Sequence, residues 1–308
     1  MSDGIDAAAL AMFKSVKNWG RWGPDDELGT LNHLTAARAR EAAKLAKLGE
    51  VISCSRKLSV KSGPGNHRPL LHHMTASGDG GPVNGLGVAA DWIGLGFHGP
   101  AVTHMDSLSH LFWDGCGYNG RRASDIKSTT GAGWGSAELA GNGIVSRGVL
   151  LDVAGATGGA WLEPGSAARV DDLVKAEQRQ GVTFGPGDIL YVRTGRDARV
   201  AKSGPFDPEH DGTGGLHYSC MELLQERQIS VLVSDAAHDA VPSGVQGFEL
   251  PVHTFALVAM GLWLVDNAYL ERLLVRCEEL GRWDFLTTIA PLLIPRSTGS
   301  PVNPLAIL

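Results

Sequence analysis

The chain has 308 residues, of which 43% are hydrophobic and 19% charged, and a formal net charge of −6. A chain this long and this apolar can bury a sizeable core, which excludes general disorder. With 27 basic against 33 acidic residues there is no cationic surplus to neutralise a phosphate backbone, so no nucleic acid partner is expected.

No run approaches the roughly 18 apolar residues of a membrane span, so no membrane partner is expected either. Residues 1–20 lack the basic and apolar regions of a secretory signal, and a cytoplasmic protein is the expectation. Cys54, Cys116, Cys220 and Cys277 lie far apart and form no C-x-x-C pair, as expected of reduced thiols rather than a disulfide framework or zinc finger.

In chain order, residues 1–34 read as an N-terminal arm, with Trp19 and Trp22 beside the turn-like Gly23-Pro24-Asp25-Asp26. Residues 35–308 read as one domain. Thr35 is placed to cap a helix over the Ala- and Leu-rich run that Gly49 closes. Residues 51–60 alternate like a strand, and residues 61–90, rich in Gly, Pro and His, read as a loop. Short apolar runs at 147–155, 188–195, 229–235, 261–267 and 287–294 are bounded by turn residues, as buried strands are. Helical patterns over 170–181 and 219–228 fall between them, so an α/β fold is expected.

The densest chemistry is in residues 97–115, which hold His98, His104, Asp106 and His110. Residues two apart on an extended segment share a face, which pairs His104 with Asp106. Asp106 and His110 are four apart and would stack if a helix began just after the strand. Imidazole nitrogen plus carboxylate oxygen is a ligand set for Zn²⁺ or Mn²⁺. Trp92, Phe97, Phe112 and Trp113 bracket the cluster and could wall a pocket for an aromatic or heterocyclic substrate.

His238, in the block Ser234–Asp239 that follows a strand, is a candidate substrate or metal contact. The loops at 61–98 and 114–146 are expected to build the pocket walls. Gly94–Gly99 fits G-x-G-x-x-G by letter, but Pro100 follows and no long helix does, so a nucleotide site is not expected. No G-x-S-x-G supports a serine hydrolase.

The stretch Thr103-His-Met-Asp-Ser-Leu-Ser-His110 resembles the T-H-x-D-x-x-x-H core of the cyclase family that includes bacterial kynurenine formamidases and isatin hydrolases. Four further stretches are similar to family blocks in the same order: Trp22 to Asn32, Arg147 to Asp152, Gly187 to Gly195, and Pro251-Val252-His253 followed by Val265-Asp266-Asn267.

The resemblance implies a swivelling β/β/α-type single domain with a mixed sheet, assembled as a homodimer or homotetramer. It also implies a divalent metal and hydrolysis of a C–N bond in a small amide, formamide or cyclic amide. Carried over residue by residue, His104, Asp106, His253 and Asp266 match metal ligands, and His110 matches the general acid/base. Asp266 stands where many members have glutamate.

Pro100 stands where binuclear members have their first histidine, so one ion, Mn or Zn, is expected rather than two. His98, His238, Trp92, Phe97 and Trp113 are assigned to the substrate. Two other functions fit the same residues: a metal-assisted cyclase or lyase acting on a small carbonyl compound, and a small-molecule binding protein with a degenerate site.

Overall fold

The computed structural model describes residues 4–81 and 84–308. Among them, nine strands form one mixed sheet: β1 (Val51–Ser53), β2 (His104–Asp106), β3 (Ile144–Asp152), β4 (Ile189–Arg193), β5 (Val231–Ser234), β6 (Trp263–Asp266), β7 (Asp284–Ile289), β8 (Gly299–Pro301) and β9 (Leu305–Ile307). Their spatial order is β1-β9-β7-β3-β4-β5-β6-β2-β8.

The four middle strands, β3 to β6, run parallel, and every other pairing is antiparallel. The division follows from sequence. Strands β4, β5 and β6 are continuous apolar runs buried along their whole length, as parallel strands covered on both faces must be. The result is the α/β domain expected from the sequence pattern, with the mixed sheet that the family resemblance implies.

Helices cover the sheet. Val170–Gln180 buries Leu173 and Ala176 and ends on Gly181 at φ 64°, a left-handed cap that glycine adopts without strain. Pro251 to Met260 forms a wholly buried helical segment, of which Thr254–Met260 is π-helical. Such π-wound stretches recur at functional sites. The N-terminal arm lies on the core: Phe13 of the helix Ala7–Ser15 packs 5.5 Å from Phe255, and Asn18 Nδ2 donates to the Met260 carbonyl at 2.9 Å.

Several elements differ from expectation for local reasons. The helix after Thr35 covers only Ala36–Ala43, because the Lys44 N–H turns back to the carbonyls of Glu41 and Ala42. Strand β1 ends at Ser53, because β9 offers only three residues to pair with it. Strand β7 stops at Ile289, just before Pro291, which cannot donate to a ladder. Within the segment expected to be loop, Leu71–Ala76 and Ala90–Gly94 pair as an antiparallel two-stranded sheet.

Cys54, Cys220 and Cys277 are buried, and burial pushes each thiol up to about 12. Only Cys116 keeps partial exposure. A thiol is reactive as its thiolate. Titration with an aromatic disulfide at neutral pH should therefore label one fast thiol in the native chain and all four in denaturant. Two or more fast native thiols would contradict this burial.

Candidate metal centre

Strand β2 is the foundation of the site. It pairs antiparallel with β6 so that His104 lies opposite Asp266. Directly opposed residues put their side chains on the same face, and Asp106, two along from His104, joins that face. His104, Asp106 and Asp266 thereby bring one donor atom each to within 4.8 Å of one another.

His253 approaches from the buried helical segment, with Nε2 3.4 Å from Asp266 Oδ2 and 3.7 Å from Asp106 Oδ2. The expected helix after β2 is absent. Residues 107–110 form a turn whose ends bond to distant loops, Ser107 N–H to the Thr298 carbonyl and Ser109 N–H to the Gly135 carbonyl. That turn still returns His110, whose Nε2 is 3.9 Å from Asp106 Oδ1.

His98 reaches the same carboxylate. Gly99, at φ 117°, reverses the chain between His98 and Pro100. His98 Nδ1 then sits 3.0 Å from Asp106 Oδ1, and its ring stacks on His110 at 3.9 Å between centroids and 9° between planes. His98, Asp106 and His110 form a second group of close donor atoms that shares Asp106 with the first. An imidazole therefore stands beside Asp106 although Pro100 occupies the position where the first family histidine was sought.

The donors are oriented toward a common centre. His104 Nδ1 donates to the Val102 carbonyl at 2.9 Å, and His253 Nδ1 donates to Asp239 Oδ2 at 2.6 Å. Both rings therefore turn Nε2 toward the carboxylates. Outer hydrogen bonds of this kind fix tautomer and orientation in metal-ligating histidines. Asp239 is itself held by the backbone N–H groups of Val252 and His253.

Asp106 is 1% exposed, yet neither carboxylate oxygen has a hydrogen-bond partner. Asp266 Oδ1, His98 Nδ1 and both ring nitrogens of His238 are also buried without one. Buried polar atoms are almost always satisfied. A cluster of unsatisfied carboxylate oxygens and imidazole nitrogens is what a divalent cation would complete, so the residues present fit a bound metal.

The same convergence shapes the electrostatics, and a bound cation would displace the protons that the carboxylates draw onto His104 and His253. Burial disfavours ionisation of Asp106, but the surrounding imidazoles, His110 and His104 first, hold its carboxyl well below the usual range. Burial likewise opposes a charge on His104, which Asp106 and Asp266 overcome, raising it to about 9. Against the same burial, Asp266 and Asp239 hold His253 well above the ordinary imidazole value. Asp266 is held low, against its own burial, by His253 and His238. His110 moves the other way, to about 4, because burial outweighs its more distant contact with Asp106.

A cavity of about 1050 Å³ opens over this centre, with His98, His104, Asp106, His110, His253 and Asp266 in its lining. Its apolar wall is Val241, Pro242, Val245, Phe248 and Leu250. That wall corrects the expectation that the loops at 61–98 and 114–146 enclose the pocket, since only His98 comes from either. The loop 241–250 carried no sequence signal beyond its place just before His253. Asp239 was also missed as an orienting group, although it ends the block Ser234–Asp239 that drew attention for His238.

The other predicted residues are dispersed. Phe97 lies 4.5 Å from the His98 ring and 6.2 Å from the His104 ring, between centroids. His238 is fully buried, with φ 51° and Nε2 3.0 Å from Asp266 Oδ1, on the ligand side of the site rather than in the cavity lining. Trp113 packs between Phe13 and Phe248, at 4.9 and 5.1 Å, and belongs to the core behind the wall. Trp92 lies on the exposed two-stranded sheet against His73, outside the cavity lining.

Asp239 accepts from the outer nitrogen of His253 and from the Val252 and His253 N–H groups, and Asp239→Asn, which keeps the volume and one acceptor oxygen, should weaken metal affinity roughly 10–100-fold. Competition against a chelating dye would measure it, and an unchanged affinity would remove Asp239 from the orienting role.

Fold and centre together define an α/β protein with a His/Asp cluster suited to a divalent cation, seated where strand β2 meets β6. The chain belongs to the cyclase family, described as Putative cyclase, whose model matches residues 57–238. It is similar to a crystal structure described as a novel cyclase, at 29% identity and a TM-score of 0.85, covering 96% of this chain and 99% of that one.

It is also similar to an isatin hydrolase bound to the product analogue thioisatinate, at 21% identity and a TM-score of 0.61, covering 89% of this chain and 99% of that one. Isatin hydrolase A from Ralstonia solanacearum matches at 20% identity and a TM-score of 0.54, covering 89% and 97%. These two likenesses are of fold. No curated protein matches the chain.

Proposed function

We propose that this chain is a metal-dependent hydrolase that cleaves a C–N bond in a small aromatic amide, formamide or cyclic amide. The observation that carries the reading is Asp106: a fully buried carboxylate, bare of hydrogen bonds, with imidazoles on several sides and a cavity above it. The isatin hydrolases of like fold act on a cyclic amide, which supports the substrate class.

His104, Asp106, Asp266 and His253 would hold one Zn²⁺ or Mn²⁺. When bound, the ion supplies Lewis-acid polarisation of a carbonyl and lowers the pKa of water. His110 has its side chain 28% exposed to the cavity side, whereas those of His104 and Asp106 are almost wholly enclosed. It takes a proton from the attacking water and delivers it to the leaving nitrogen as the C–N bond breaks. His98, stacked on His110, keeps that ring from rotating away. The apolar wall around Phe248 receives the aromatic body of the substrate.

The test is metal analysis of protein purified without chelator, followed by turnover of isatin and an N-formyl arylamine in H₂¹⁸O. One divalent ion per chain and ¹⁸O in the acid product are expected. Turnover without ¹⁸O incorporation would replace hydrolysis by elimination or ring closure. Absence of any ion, with no activity on adding Mn²⁺ or Zn²⁺, would reduce the chain to a binding protein.

A further inference from the structure

A second cavity, of about 580 Å³, lies beside the metal centre rather than in it, bounded by residues 55–59, 64–66, 68, 70, 95, 100–102 and 196–197 with Tyr269 and Arg272. Pro100 is the one residue common to the two linings, so the short segment around it divides them.

In a chain of net charge −6 this second cavity is strongly cationic. Arg56, Lys57, Arg68, Arg196 and Arg272 line it, against a single acid, Asp197. Asp197 is already consumed: Arg56 grips it with two parallel bonds of 2.7 and 2.9 Å. Among the described residues, none of the other four cations has a carboxylate within 4.0 Å.

Their contacts are to neutral groups only. Arg196 donates to Asn267 Oδ1 at 2.5 Å and to the Pro100 carbonyl at 2.8 Å, and its Nε is buried with no partner. Arg272 donates to the Ser53 carbonyl at 3.1 Å, and Arg68 to the His98 carbonyl at 3.3 Å. Lys57, Arg68 and Arg272 are exposed, whereas Arg196 carries its charge with Nε buried and unpartnered, which costs free energy unless something compensates it. Burial and the neighbouring Arg56 push Arg196 down to about 9, against the opposing pull of Asp197, Asp235 and Asp266.

We infer that this cavity is a second ligand site, separate from the metal centre, for a small dianion: a phosphate monoester or a dicarboxylate. Guanidinium forks match both oxyanions bidentately, and Lys57 adds a mobile point charge at the rim. The volume falls within the range of about 300–1000 Å³ usual for small-molecule sites. Arg196 reaches from this cavity to Asn267, the neighbour of Asp266, and to Pro100, two residues from His98, so the two sites share a wall.

Calorimetric titration of the full metal-loaded chain with inorganic phosphate and with succinate, in a low-salt buffer of neither anion, tests the site. At least one of the two should bind one per chain, and phosphate preference or succinate preference would identify which oxyanion the cavity takes. Binding should survive removal of the metal with chelator. Lys57→Gln combined with Arg272→Gln should weaken it about tenfold or more, with metal content and circular dichroism unchanged.

Lys57 is exposed, so Lys57→Gln alone reads the same effect, at smaller size, if the double variant fails to fold. No binding of either anion at millimolar concentration overturns the inference. So does binding that vanishes with the metal, or that ignores both substitutions.

Discussion

Asp106→Asn should strip the chain of its divalent ion and lower kcat/KM about 10³–10⁴-fold, equivalent to roughly 4–5.5 kcal/mol of transition-state stabilisation. The size of the effect follows from position. Asp106 belongs to both groups of converging donors, so no arrangement of the remaining residues replaces it. Asparagine keeps the volume but removes the anion that offsets a cation's charge.

Stability separates this from simple misfolding. Metal at a hundred times its Kd should stabilise the wild type by about 2.7 kcal/mol, visible as a rise in Tm, and the variant should show no such rise. Because the Asp106 carboxylate holds buried His104 charged in the absence of metal, the metal-free variant should melt somewhat below metal-free wild type. An Asp106→Asn protein that retains its ion and turns over substrate would remove the centre from this face of the sheet.

His110→Ala should lower kcat about 10²–10⁴-fold, the range of a lost general acid/base, while leaving one ion bound. The distinction from Asp106 rests on geometry. His110 Nε2 is 3.9 Å from Asp106 Oδ1, farther than His98 or His104, and its ring lines the cavity. Added imidazole should restore part of the lost kcat in the space the side chain vacates. If wild type carries two ions and the variant one, His110 is a ligand and another group carries the proton.

Much of the centre is legible in the chain because strand geometry is local. The spacing of His104 and Asp106 puts them on one face wherever that strand is built, and the apolar runs around residues 190, 232 and 264 could only be buried strands. The same spacing logic misjudged residues 106–110. A separation of four suits a helix, but Ser107 and Ser109 find their backbone partners at Thr298 and Gly135 and the chain turns instead. Either path returns His110 to Asp106.

His98 was harder to place. The sequence assigned it to the substrate, and the positive φ of Gly99 turns it onto Asp106 itself. His238 and Asp239 carried only the hint of a polar loop after a strand. Their work on Asp266 and His253 depends on burial that no spacing reveals.

Residue types and short-range periodicity by themselves determined the α/β class, the metal-suited donor set and the two residues that share a face on β2. Covalent geometry fixes those relations over a few residues, whatever the rest of the chain does. The resemblance to the family named His253 and Asp266, but only the tertiary structure decided how these distant groups meet the donors of β2. The register of β2 against β6 sets Asp266 opposite His104, and packing of the buried helical segment sets the reach of His253. The loop 241–250 closes the wall because it leads into that segment. These are contacts between segments far apart in the chain, and their positions follow from how the whole core packs.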